Sequence, residues 1–318
     1  MIVKVLKPVL LSVACMLNWI SAANSQPVPE TRLEHYVRHA HLVATFPLTF
    51  PGPEGGYTMA HIPVSEVTKY GDTVILTHAF LIDVGTANEG NYLPSDSLKA
   101  STGYTPWNLM TGGGRMLHVQ LAPMNSHPEY RQLDSTYFGT LGYAFLRQFL
   151  SVFDYKKNTL TLYTLYSSVE IANRDTQALQ LPYFDDAFLT YCHCPYPTIW
   201  LNADAPPLKE GRVHLGLASP RSTIYEPALD AKTKKQLSKA FKKDSLTGKT
   251  ITAGLSLAEF DLDDINIARR SPHRWVEPQP AIFKDLSIFI MGTLGTDVLR
   301  TFSGMIIDPA RTKVLLVK

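Results

Sequence analysis

The chain has 318 residues, 45% of them hydrophobic and 18% charged, with a formal net charge of +2. That apolar content excludes a disordered chain, and so small a charge excludes attraction to nucleic acid or to an anionic membrane through the overall field. Three cysteines in a chain of this length exclude the disulfide framework of a small secreted miniprotein.

Residues 1–25 read as a secretory signal. Lys4 and Lys7 precede an apolar run from Pro8 to Ile20, and the small residues Ala22, Ala23 and Ser25 follow, which predicts cleavage after Ala23 or Ser25. Ser12-Val13-Ala14-Cys15 offers an alternative lipoprotein box, but the apolar run continues past it through Met16, Leu17, Trp19 and Ile20. No later stretch reaches the ~20 apolar residues of a membrane span. The expectation is an exported protein, periplasmic or secreted, with no net charge once Lys4 and Lys7 are gone.

From the twenties to about residue 50 the chain mixes prolines with a helical turn near Glu34–His41. Strand patterns then dominate. Tyr57 to Val64 alternates, Thr73-Val74-Ile75-Leu76 follows a Gly71-Asp72 turn, and Ala79-Phe80-Leu81-Ile82 is the continuous apolar run of a strand buried on both faces. Gly112-Gly113-Gly114 before the alternating Met116–Leu121 predicts a mobile hairpin tip, because glycine reaches backbone angles closed to other residues. Phe153-Asp154-Tyr155 and Leu160-Thr161-Leu162 supply a closing hairpin, and a boundary falls between about 164 and 180.

Beyond it, Thr198–Leu201, the Ala205-Pro206-Pro207 turn and Arg212-Val213 repeat the strand, turn, strand order. Ala228 to Lys243 has helical spacing, with Leu229, Leu237, Ala240 and Phe241 as an apolar stripe and six lysines on a solvated face.

The strongest signal is a repeat. Gly139-Thr140-Leu141-Gly142, with Leu146, Arg147 and Phe149, returns as Gly292-Thr293-Leu294-Gly295, with Leu299, Arg300 and Phe302. Upstream, Ile82-Asp83-Val84-Gly85-Thr86-Ala87 runs without a gap against Val213-His214-Leu215-Gly216-Leu217-Ala218. Each half reads as an apolar strand, a glycine turn, a variable stretch and an apolar strand ending in Leu-Gly before a short helix.

This arrangement resembles the pepsin-like and retropepsin-like aspartic peptidases, whose two lobes each contribute an Asp-Thr/Ser-Gly turn and an apolar-apolar-Gly segment behind it. The resemblance implies a mainly β, two-lobed pepsin-like double β-barrel with a few short helices. Its lobes would be residues 26–165 and 178–318, and Gly112, Gly113 and Gly114 would lie in a flap. No cofactor is implied, and the partner implied is a peptide or protein ligand in the cleft between lobes.

The chemistry departs from the family. Aspartic peptidases hold two carboxylates about 3 Å apart that share one proton. Here Asp83, followed by Val84, Gly85 and Thr86, fills the first place, and Val84 lacks the usual hydroxyl. The gap-free register puts His214, before Leu215 and Gly216, at the second place, and a slip of one residue puts Leu215 there. Neither choice supplies an Asp. Three readings stay open: a non-catalytic relative that grips an extended peptide by strand addition; a hydrolase in which Asp83 and His214 activate water; and a homodimer that joins two Asp83 turns. Cys192-His193-Cys194 and the trio His35, His39 and His41 lack the spacing of a metal site, so none is expected. Asp185-Asp186 and Asp263-Asp264 read as solvated.

Overall fold

A computed structural model of the chain describes residues 32–53, 55–67, 70–86, 88–94, 104–124, 128–166, 178–184, 198–201, 211–225, 231 and 290–317, with five short strands between 241 and 277. It is mainly β. In chain order the strands are β1 (Leu42–Thr49), β2 (Met59–Val67), β3 (Thr73–Asp83), β4 (Gly90–Tyr92), β5 (Thr105–Met110), β6 (Met116–Pro123), β7 (Tyr137–Gly142), β8 (Phe149–Asp154), β9 (Thr159–Thr164), β10 (Ala178–Phe184), β11 (Thr198–Leu201), β12 (Gly211–Gly216) and β13 (Thr223–Tyr225). They continue as β14 (Phe241–Lys243), β15 (Thr250–Thr252), β16 (Asp261–Leu262), β17 (Ile265–Asn266), β18 (Trp275–Glu277), β19 (Ile290–Gly295), β20 (Gly304–Asp308) and β21 (Lys313–Val317). The described helices are short: α1 (Arg32–Tyr36), α2 (Pro128–Leu133), α3 (Tyr143–Leu146) and α4 (Thr296–Leu299).

A six-stranded antiparallel sheet joins the two halves. Its order is β1, β9, β8, β20, β21, β10, and β8 meets β20 at the centre, where Phe153 faces Met305. Strands such as Gly304–Asp308 are buried throughout because both faces are covered. On one face α1 lays Leu33 and Tyr36 over Leu150, Val152, Ile306 and Leu315. On the other, Phe153, Met305, Ile307 and Leu316 enter the main core.

Both halves carry the same unit on this base. In the first, β3 runs parallel to β7, and β4 lies antiparallel on the other side of β7. In the second, β12 runs parallel to β19, and β13 lies antiparallel beside β19. The turns after β3 and β12 match as well. Thr86 N bonds Asp83 O at 3.0 Å and Ser219 N bonds Gly216 O at 3.1 Å; Tyr143 N bonds Thr86 O at 2.8 Å and Thr296 N bonds Ser219 O at 2.9 Å.

The helical expectation for 228–243 fails at its end. Phe241–Lys243 pairs with Thr250–Thr252 as a strand, a pairing that competes with the local i, i+4 pattern. Apart from Ala231, the rest of that segment lies outside the described residues, as do the leader 1–25, Cys192, His193, Cys194, the Pro206-Pro207 turn, Asp185-Asp186 and Asp263-Asp264.

Candidate functional site

Asp83 ends β3, half-buried, at the point where the strand meets Gly142 of β7. Its own turn orients the carboxylate: Gly85 N donates to Oδ1 and Thr86 Oγ1 donates to Oδ2, both at 2.8 Å. Val84 is fully buried and contributes packing alone.

The His214 imidazole stands opposite. A Cβ placed on Gly85 would lie 3.0 Å from Asp83 Oδ1, 3.2 Å from His214 Cε1 and 3.5 Å from His214 Nε2. Carboxylate and imidazole thus flank one glycine, and the missing side chain is what lets them approach. His214 keeps part of its surface open, yet the protein packed around it pushes its pKa down from 6.5 to about 4; the Asp83 charge works in the opposite direction. At neutral pH the imidazole is uncharged.

The pairing corrects the register read from the sequence. Leu81, Ile82 and Asp83 face Thr140, Leu141 and Gly142, whereas His214, Leu215 and Gly216 face Thr293, Leu294 and Gly295. The residue at the place of Asp83 is therefore Gly216, and His214 stands where the first half has Leu81. Side chains two apart on a strand share a face, so the His214 ring extends along the side on which Gly216 has none. The second place is also closed, because a Cβ on Gly216 would lie 2.3 Å from Thr293 Cγ2 and 2.9 Å from Ser219 Cβ.

A loop the sequence reading did not single out ties the two turns together. Between β1 and β2, Gly55 N donates to Pro220 O at 3.1 Å and Thr58 N donates to Leu217 O at 3.2 Å, while Ile82 N donates to Thr58 O at 2.9 Å. Thr296 Oγ1 donates to Gly56 O, and Arg300 Nη1 donates to Gly55 O at 2.7 Å. A Cβ on Gly55 would stand 2.1 Å from Asp297 N, so the backbone approach needs glycine there. The cluster Pro51, Gly52, Pro53, Gly55, Gly56 was the available signal.

Gly112, Gly113 and Gly114 form the turn of the β5–β6 hairpin, closed by Thr111 N to Arg115 O at 2.9 Å, with Gly114 at φ +74°. Nothing lies within 4 Å of a Cβ on any of the three. Leu109 pairs with Val64 and Asn108 with Ser65, so the hairpin runs along β2 toward Met59, the end at which β3 carries Asp83. Among the described residues no cluster of three or more His, Cys, Asp or Glu side chains is arranged to hold a metal, and His35, His39 and His41 gather no such set. No described helix is long and apolar enough to cross a membrane.

No family model matches the chain, and no curated protein matches it. Among solved structures it is similar to an aspartic proteinase from Irpex lacteus at 10% identity and a TM-score of 0.48, over 86% of this chain and 97% of that one.

Proposed function

We propose that this chain is an exported, aspartic-peptidase-like protein that binds an extended peptide in a cleft between its halves and does not cleave it by the two-carboxylate route. The observation that carries this reading is the place opposite Asp83: it belongs to Gly216, and Thr293 Cγ2 leaves no room for a side chain there. One carboxylate beside an uncharged imidazole does not reproduce a pair of carboxylates sharing a proton. Binding by strand addition needs only backbone groups and side-chain pockets. The outer edge of β6 over Met116–Val119 suits it, since among the described residues only β5 pairs with that stretch, while at Gln120 the backbone N–H already donates to Glu89 Oε2 at 2.6 Å.

A second reading is a hydrolase in which Asp83 and His214 act on water together, and it is favoured by their meeting over Gly85 with both residues partly exposed, His214 Nε2 itself being buried. An imidazole with a pKa of about 4 is in its base form above that pH, so this activity should rise as the pH passes about 4 and persist to neutral pH.

The test is incubation of the purified chain with a mixed peptide library at acid and neutral pH, beside Asp83→Asn. Peptide retention without new termini supports the binding protein. Cleavage that disappears in Asp83→Asn replaces it with the hydrolase.

A further inference from the structure

We propose that the outer edge of β3 is a self-pairing surface through which two copies of this chain form a symmetric dimer. Along Thr73–Thr77 the strand is hydrogen-bonded on one side to β2, in the register Val67↔Thr73 to Pro63↔Thr77. On its other side β7 begins only at Ala79. Among the described residues, no strand lies on that side of Thr73–Thr77.

The phase of the hydrogen bonds identifies which backbone groups face outward. Ile82 N donates across to Thr58 O, while Ala79 N donates the other way, to Thr136 O. Antiparallel strands alternate residue by residue, and the β2–β3 register is unbroken from Leu81 to Thr73. So the N–H and C=O groups of Thr73, Ile75 and Thr77 point away from β2.

The side chains of this stretch are those of an interior strand left outside. Ile75 is 59% exposed and its neighbour Leu76 46% exposed, although consecutive side chains point to opposite faces. Along this stretch β3 itself is therefore uncovered on both faces, although Val64 opposite Leu76 on β2 is buried. Lys, Glu and Pro, the usual guards of a strand edge, are absent from Thr73 to Thr77.

The sequence fits a second copy of itself. A two-fold axis normal to the sheet pairs residues of equal parity. Centred on Ile75, it sets Ile75 against Ile75, Thr73 against Thr77 and Val74 against Leu76. The three outward-facing residues then all form hydrogen-bonded pairs, with apolar or threonine partners and no opposed charges. A centre on Leu76 would instead place Thr73 against Ala79, whose N–H is already bonded to Thr136 O. Asp83 lies eight residues from Ile75, about 26 Å along the strand, so this dimer keeps the two Asp83 turns far apart. It is a different assembly from one that joins those turns, and it stands whether or not the cleft binds peptide.

Light scattering on the purified chain should give twice the chain mass, and Ile75→Lys, which opposes two ammonium groups at the axis, should give a single chain mass with unchanged near-ultraviolet circular dichroism. Hydrogen-bonded partners have Cα atoms about 5.5 Å apart, within disulfide range. With the native cysteines replaced by serine, oxidised Ile75→Cys should therefore run as a covalent dimer and Leu76→Cys should not. A wild-type chain that stays monomeric up to about 100 µM, a dimer that survives Ile75→Lys, or cross-linking through Leu76→Cys as complete as through Ile75→Cys would overturn the proposal.

Discussion

Asp83 and Gly216 occupy the same place in the two halves of the chain: each ends its strand against a glycine of a parallel neighbour, Gly142 for one and Gly295 for the other. The asymmetry between them is chemical. One half presents a braced carboxylate and the other a bare backbone backed by the Thr293 methyl group.

Installing the missing carboxylate should damage the fold before it adds chemistry. In Gly216→Asp the new Cβ meets Thr293 Cγ2 at 2.3 Å, and overpacking of this kind costs about 1–3 kcal/mol. Urea unfolding should show the loss, and adding Thr293→Ala, which removes that methyl, should recover part of it. An unchanged midpoint for Gly216→Asp alone would mean that the site is open after all.

The same pair of residues shows how far the sequence could be read. The repeated Gly-Thr-Leu-Gly and the apolar strands before it lead to matched strand pairings in both halves, because apolar runs and glycines mark buried strands and close approaches. The register of the acidic turn differs by two residues from the gap-free match of the letters. Matching Gly85 to Gly216 is the natural alignment of identical letters, but Gly216 stands for the acid, and Ala218 fills the place of Gly85. A glycine required by a turn and a glycine left where a side chain is excluded look alike in sequence; only the hydrogen-bond register separates them. The tie from Gly55 and Gly56 to the second half is equally hidden, since its partners, the Pro220 carbonyl and the Thr296 and Arg300 side chains, lie more than 150 residues away.

His214 should make the chain sensitive to acid. Its pKa is about 4 in the folded chain against 6.5 ordinarily, so between those values the unfolded chain takes up a proton that the folded one refuses. Stability is then fully present above pH 6.5, declines as the pH falls toward 4, and levels off below that for this group. His214→Gln should flatten the decline in urea midpoints over that window. Asp83→Asn, by removing the charge that favours the imidazolium, should move the His214 titration lower still, as followed by the NMR shift of its Cε1 proton. A titration that moves upward would break the proposed contact.

Gly85 offers a direct test of whether the contact matters for function. Gly85→Ala inserts a methyl 3.0 Å from Asp83 Oδ1 and 3.2 Å from His214 Cε1. Both residues are only partly buried, so the stability cost should stay near 1 kcal/mol while the two are pushed apart. Cleavage, if the hydrolase reading holds, should fall at least tenfold in a rate assay, whereas peptide retention by strand addition, which does not use this pair, should be unchanged. Full cleavage in a folded Gly85→Ala would separate the activity from this pair.

The two repeated arginines should differ in their worth to the fold. Arg147 is exposed. Arg300 donates to Gly55 O and lies 4.1 Å from the Phe50 ring centroid, joining the second half to the loop that bridges the turns. A hydrogen bond from a charged group is worth about 1.5–3 kcal/mol and a cation over an aromatic face about 0.5–1 kcal/mol or more. Because solvent screens an exposed guanidinium, Arg300→Ala should cost roughly 1–2 kcal/mol in thermal or urea unfolding, whereas Arg147→Ala should stay within about 0.5 kcal/mol. The lost bridge should also loosen the Asp83–His214 approach, raising the His214 titration toward its ordinary value as water reaches the ring. Equal effects from the two arginines would show that the loop from Phe50 to Thr58 does not hold the halves in register.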